Sequence, residues 1–359
     1  YSNNEWKKFK GAESKNFLNP KYSDDKKYLS FVEVEKGKKP QQTIIIKKGN
    51  SLDRIFKTSG SIQNYIWSKS SKFLYITVGD WDENFEKVED KQDEPFYLEN
   101  IPHKFDTRGV IFNKRNHIYK VNIETGKSSK IINGDKENFI SIGSVVEHAG
   151  QLYFTANVYN DMGTMLEERI IKKDSKGLDI IHSGGMWGKL FSFQGKLYGI
   201  GLKNRFDWPT TTNIYELSDS GRAKEIDTVF DKTIVDVKTT EENMYALYED
   251  SGKQLIAKNT NNGLENLFDE DITITDFAIQ KNEIFFLANS FTKSDEVFKY
   301  SESGIEKISK TNDSFHKKVS SYSFTYKRFD TGKSEVDTWG IFVGKDRPTL
   351  LNIHGGPAS

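Results

Sequence analysis

A strand–turn–strand unit recurs along this chain at spacings of roughly 40 to 50 residues, and that repeat limits the fold more than any other feature. Its sharpest form is a small polar turn followed by Leu or Ile beside an aromatic residue. Examples are Gly150-Gln151-Leu152-Tyr153-Phe154, Gly195-Lys196-Leu197-Tyr198 and Asn282-Glu283-Ile284-Phe285-Phe286. A following strand repeats as Ile118-Tyr119-Lys120-Val121, Ile214-Tyr215-Glu216-Leu217 and Val297-Phe298-Lys299-Tyr300, each running into a Gly- or Ser-containing turn. Long apolar stretches with a 3.6-residue period are scarce, whereas turn-bounded strand patterns run throughout. The expectation is an all-β chain, a β-propeller of roughly six or seven four-stranded blades. The stretch from Thr58 to Asn133 has room for one blade with an insertion or nearly two blades.

Composition agrees. Only 35% of residues are hydrophobic while 13% are aromatic, as expected where alternate residues face inward on half-buried pleated surfaces. Lysine plus arginine and aspartate plus glutamate number 52 each, which argues against nucleic acid as a main partner. The absence of cysteine removes disulfides, thiolate catalysis and cysteine metal sites, and fits a cytoplasmic protein. No apolar run approaches the ~18 residues of a membrane span. The chain opens on Tyr1, which leaves a removed leader open.

Near its end, Thr349-Leu350-Leu351-Asn352-Ile353 runs into His354-Gly355-Gly356-Pro357. A buried strand that enters a glycine turn leaves backbone N–H groups bare, and such groups suit a developing oxyanion. This segment resembles the oxyanion loop of the acylaminoacyl peptidase branch of the prolyl oligopeptidase family. Two further segments are similar to that family. Asn19-Pro20-Lys21-Tyr22-Ser23-Asp24-Asp25-Lys26-Lys27 resembles its Ser-Pro-Asp-Gly-Lys blade turn, with the Pro and Gly of that turn absent. Ile101 to Val110, with His117 to Val121 and Glu124-Thr125-Gly126, resembles its second-blade segment.

The resemblance implies a propeller that caps a C-terminal α/β-hydrolase with a Ser-Asp-His triad, in an enzyme that releases N-acylated residues or short peptides. By motif match Gly356 would supply an oxyanion N–H, with His354, Gly355 and Pro357 in support. The expected organisation is an N-terminal extension over 1–18, a propeller over 19–312 and the truncated start of the hydrolase over 313–359. Nucleophile, acid and base would all follow the oxyanion loop, and no Gly-x-Ser-x-Gly elbow occurs in the chain. The fragment alone is therefore expected to be inactive, with peptide substrate and the missing hydrolase domain as its partners. Homo-oligomerisation of the intact parent stays open. The rival expectation is a stand-alone propeller that binds a protein or peptide.

Other candidates are weaker. Asp80, Asp82 and Asn84 alternate like a calcium loop, but Phe85 stands where Gly is needed and Lys91 where a bidentate Glu belongs. His103, His117, His148, His182, His316 and His354 show no paired spacing, so neither metal nor cofactor is expected. Glu167-Glu168-Arg169 reads as a charged blade edge. Arg108 and Arg205, the latter within Arg205-Phe206-Asp207-Trp208, lie between strands, where a guanidinium could grip a peptide carboxylate.

Overall fold

The computed structural model describes residues 16–35, 41–81, 98, 100–105, 109–111, 114–227, 229–280, 283–319, 324–333, 335–341 and 350. The chain divides into two compact units, Tyr1–Leu197 with Ser218–Arg222, and Tyr198–Leu217 with Ala223–Ser359.

In the first unit, β1 (Asn16–Tyr22), β2 (Leu29–Val34), β3 (Gln42–Lys48) and β4 (Ser51–Thr58) form an antiparallel sheet in chain order. Ile44, Ile45 and Ile46 on β3 are all buried, because a middle strand covered on both faces reads as a continuous apolar run. The segment Asn19 to Lys27, expected as one polar turn, is strand through Tyr22. Asn19 takes a φ of 51° beside a register shift between Leu18 and Lys21, and the turn is confined to Ser23–Lys27. There Ser23 Oγ donates to Asp25 Oδ1 at 2.6 Å and accepts from Tyr28 N at 3.1 Å.

The next sheet is β5 (Ser61–Trp67) and β6 (Phe73–Trp81), then β9 (Lys114–Asn122) and β10 (Ser128–Ile132). A small pair, β7 (Lys104–Phe105) with β8 (Gly109–Val110), intervenes in the chain. The stretch after Thr58 is thus one sheet carrying an insertion. At the expected Glu124-Thr125-Gly126 turn, Asn122 Oδ1 accepts the amides of Glu124 (2.9 Å) and Thr125 (3.0 Å).

A single helical turn, α1 (Gly134–Glu137), leads to β11 (Ser141–His148), β12 (Gln151–Tyr159), β13 (Leu166–Lys173) and the 16-residue β14 (Leu178–Phe193). Only the first half of β14 pairs with β13, up to Gly185 opposite Glu168. Gly184, with φ 83°, precedes the point where the strand runs on alone from β13.

The three sheets of this unit enclose two cores between them. Val32, Ile44 and Ile46 meet Tyr65, Trp67, Leu74 and Ile76, while Ile118, Ile132 and Phe139 meet Ile142, Leu152 and Phe154. The polar ends of the first core's aromatics are paired. Tyr65 Oη donates to Asn19 O at 2.5 Å and accepts from Ser30 Oγ at 3.2 Å, and Trp67 Nε1 donates to Ser30 Oγ at 2.9 Å. Tyr65→Phe deprives the part-buried Asn19 carbonyl of this donor, while Ser30 Oγ keeps Lys21 O as its acceptor at 2.9 Å. A loss of about 1–2 kcal/mol is expected in urea unfolding, with the slope unchanged.

The second unit holds β15 (Lys196–Leu202) from Tyr198 onward, β16 (Asn213–Leu217) and β17 (Ala223–Glu225), followed by two four-stranded antiparallel sheets. These are β18 (Thr233–Thr239), β19 (Met244–Asp250), β20 (Lys253–Thr260) and β21 (Gly263–Asn266), then β22 (Thr273–Gln280), β23 (Glu283–Ser290), β24 (Lys293–Ser301) and β25 (Gly304–Lys307). Their shared core joins Leu247 and Ile256 to Ile274, Phe277 and Phe286, with Phe286 stacked on Phe298 at 5.5 Å. A second single turn, α2 (Asp313–His316), precedes the hairpin of β26 (Phe324–Asp330) and β27 (Glu335–Ile341), which surrounds Asp330–Lys333 as the sequence predicts. The architecture is all-β and propeller-like. No helix among the described residues is long and apolar enough to cross a membrane.

Candidate functional site

Within each unit the first strands of neighbouring sheets touch one another through polar contacts. From β1, Lys21 Nζ donates to Asn64 Oδ1 at 3.0 Å and to Tyr65 O at 2.7 Å on β5, with the ammonium 4.9 Å from the Tyr65 ring. From β14, Leu190 N donates to Ser144 Oγ on β11 at 2.8 Å.

These contacts arise from one recurring pattern: a buried apolar residue, an exposed one, a polar one, then a buried apolar one. It occurs as Ile62-Gln63-Asn64-Tyr65, Ile142-Gly143-Ser144-Val145, Trp187-Gly188-Lys189-Leu190, Ile234-Val235-Asp236-Val237 and Ile274-Thr275-Asp276-Phe277. The period-two alternation of a strand would give two buried positions two apart, not three. The extra residue is absorbed by a bulge, seen as register shifts after Ile62, Ile142, Ile234 and Ile274. A bulge twists the strand and re-aims the polar side chain, here toward the neighbouring first strand.

The second unit repeats the clip seen at Lys21. Lys238 Nζ donates to the Asp276 carboxylate and to Phe277 O and lies 4.8 Å from the Phe277 ring. Asp276 Oδ1 also accepts from Phe277 N at 2.8 Å, as Asn64 Oδ1 accepts from Tyr65 N at 2.8 Å. The charges differ between the two. Asp236 Oδ2 at 3.9 Å adds a second carboxylate to Lys238, whereas the acceptors of Lys21 are neutral. Burial, and then the charge of Lys189, lower the Lys21 ammonium to about 8.

Behind Ser144 lies a partly buried polar chain centred on the buried Thr155. Ser144 N donates to Thr155 Oγ1 at 3.1 Å, the Thr155 hydroxyl is hydrogen-bonded to Glu168, and Trp187 N donates to Glu168 Oε2 at 2.6 Å. Burial raises the Glu168 carboxyl to about 7, against the pull of those two donors. Glu167 pairs with Arg169 Nη2 at 3.3 Å. The expected charged blade edge at Glu167–Arg169 is corrected, since β13 is paired on both sides, with β12 and with β14.

A Ser–His contact also occurs in this unit, Ser192 Oγ to His148 Nδ1 at 2.9 Å. The carboxylate that could orient such a pair, Asp219, is committed instead to Tyr153 Oη at 3.0 Å and Lys172 Nζ at 2.5 Å. The cluster therefore lacks the relay that a triad needs, and it serves as a tie between strands.

Of the residues singled out from the sequence, His354, Gly355, Gly356, Pro357 and Arg108 lie outside the described residues, as do Asp82 and Asn84. Arg205 opens a short 3-10 turn, Arg205–Asp207, in the connection between β15 and β16, where Phe206 N donates to the Asn204 side chain. Its guanidinium lies 5.8 Å from the ring of Phe206, so it belongs to a loop and not to a first strand. Among the described residues no group of three or more His, Cys, Asp or Glu could hold a metal. The first-strand pattern is less conspicuous in the sequence than the more aromatic second strands. Its signal, an apolar pair three apart around a polar residue, was available.

No protein-family model matches the chain, and no curated protein matches it. Solved structures do match in fold. The acylaminoacyl peptidase of Pyrococcus horikoshii superposes with a TM-score of 0.73 at 14% identity, over 93% of this chain and 51% of that one. The β-propeller domain of the Trilobed protease from Pyrococcus furiosus gives 0.59 at 13% identity, over 83% and 82%. A structure from a study of two prolyl endopeptidases gives 0.58 at 11% identity, over 91% and 46%. The chain thus spans about half the length of the acylaminoacyl peptidase that it resembles in fold.

Proposed function

We propose that this chain is the substrate-gating propeller of an acylaminoacyl-peptidase-like serine peptidase and that its active centre is completed by an α/β-hydrolase domain. The observation that carries this is the fold match over 93% of the chain to 51% of an acylaminoacyl peptidase. The His354-Gly355-Gly356-Pro357 motif agrees with it. In this reading the segment from 313 onward begins the hydrolase, and Gly356 N–H faces the developing oxyanion. The first strands, whose bulged polar residues meet those of the neighbouring first strand within each unit, orient the peptides that reach them. A propeller's radial repetition in general leaves short protected edges around a central channel, which suits a size filter.

The test uses protein purified from its native source. The chain accounts for 41.2 kDa, and a hydrolase domain of ~250 residues would bring the intact species to about 70 kDa. That species should react with a serine-directed fluorophosphonate, while residues 1–359 alone should not. A native mass equal to that of this chain, with no labelling, would leave a propeller that binds a peptide or protein partner.

A further inference from the structure

We propose that Lys21 is an acyl-acceptor site: its amine takes an acyl group from an activated acyl donor, a thioester or an acyl phosphate, and becomes an amide. The inference goes beyond the peptide-gating function above and does not depend on it.

The two lysine clips of the molecule supply the argument. Lys21 and Lys238 make the same contacts, each reaching the polar residue of the next first strand and then the carbonyl and ring of the aromatic residue after it. Both lysines are half-buried, and the ring stands at 4.9 Å in one clip and 4.8 Å in the other, so neither access nor the ring separates them. The charge of the acceptors does. At Lys238 the polar residue is Asp276, and Asp236 Oδ2 lies 3.9 Å away, so carboxylates hold that nitrogen as an ammonium. At Lys21 the acceptors are Asn64 Oδ1 and Tyr65 O, both neutral. A neutral amine has two N–H groups and one lone pair. The two acceptors take both N–H groups, and the lone pair falls on the remaining position of the nitrogen, where no protein acceptor stands among the described residues. A lysine desolvated without a carboxylate beside it is the ordinary way in which an amine becomes a nucleophile, and burial is the first cause of the lowered Lys21 value.

The strand also offers the acyl group a neighbour. Lys21 lies on β1, at the edge of its sheet. The bulge between Leu18 and Lys21 sets these residues opposite Val32 and Ser30, which puts both on one face. Leu18 is 50% exposed there, an apolar side chain for the chain of an acyl group to meet. In the reaction the ammonium first gives a proton to water. The Nζ lone pair then forms a C–N bond to the carbonyl carbon, the bond from that carbon to sulfur or phosphate oxygen breaks, and the leaving group departs with the electron pair. A second Nζ proton goes to solvent. The amide that results keeps one N–H for two acceptors, so acylation loosens the clip between β1 and β5.

The experiment treats the chain near neutral pH with the thioester S-acetyl-N-acetylcysteamine and, in a second arm, with acetyl phosphate, and follows each lysine by peptide mass spectrometry. Lys21 should be acetylated at least about tenfold faster than Lys238, because its larger neutral fraction outweighs its lower basicity. Asn64→Asp places beside Lys21 the carboxylate that Lys238 already has, and it should slow Lys21 to the rate of Lys238. An aspartate fits this position, since Asp276 Oδ1 accepts the following amide at 2.8 Å as Asn64 Oδ1 does. Faster reaction with one donor names the source of the acyl group, and either preference supports the site. Equal rates at Lys21 and Lys238, an unchanged Lys21 rate in Asn64→Asp, or no acetylation of Lys21 by either donor would overturn the proposal. The comparison of the two lysines needs no variant and decides alone should Asn64→Asp fail to fold. None of these results depends on hydrolysis, so fluorophosphonate labelling of the intact protein tests the peptidase function separately.

Discussion

Glu296→Ala is expected to destabilise the second unit by about 3 kcal/mol or more, because it strips buried donors of their acceptor. Glu296 lies on β24 and is 5% exposed. Its carboxylate accepts the Ser309 hydroxyl, the amide of Asn312 at 2.7 Å and that of Thr311 at 3.2 Å, and Lys307 Nζ lies 3.8 Å away. These bonds fasten the segment after β25 to the last four-stranded sheet. Desolvation opposes ionisation here, yet the hydrogen bonds from Ser309, Asn312 and Thr311, together with the Lys307 charge, bring the carboxyl below its ordinary value. A depressed value means stability that is present above the usual 4.5 and is lost as pH falls through the folded value. Acid unfolding of the wild type should show that loss, and Glu296→Ala should remove it while lowering stability at neutral pH. Equal stability of the two proteins at pH 7 would contradict this account.

Glu168→Gln is expected to do the reverse and stabilise the first unit. Burial lifts this carboxyl from 4.5 to about 7. Below the ordinary value both folded and unfolded chains hold the proton, and the burial penalty is absent. As pH rises toward 7 the unfolded chain ionises first, so stability declines, by about 3–4 kcal/mol once the folded group has also ionised. The glutamine keeps an oxygen for the Trp187 amide without a charge to desolvate. The variant should match the wild type near pH 4.5 and exceed it progressively up to pH 8 in thermal or urea unfolding. A difference that does not change with pH would show that Glu168 does not titrate in this range.

The two glutamates separate what a sequence shows from what it conceals. Both stand in strands, and nothing in Leu166-Glu167-Glu168-Arg169 marks Glu168 as enclosed. Its environment depends on β14 covering β13, and on Trp187, 19 residues further on, presenting its amide. Glu296 is equally unmarked, since three of its partners come from the irregular stretch after β25. The blade units were far more legible. Ile44 to Ile46 as a buried run, the Asn122 to Gly126 turn and the Asp330–Lys333 hairpin all fall where the pattern places them. Asn19 to Tyr22 did not, because a Pro-containing polar stretch reads as a turn unless a bulge lets it continue as strand.

An all-β chain of repeated antiparallel sheets is legible in the residues, because alternating burial and turn chemistry act between positions a few apart. Which polar residues meet depends on how the sheets pack. Lys21 reaches Asn64 across 43 residues and Ser144 lies 46 from Leu190. Neighbouring first strands are separated in the chain by whole sheets, so the charge at their junction is set by packing and not by any local pattern.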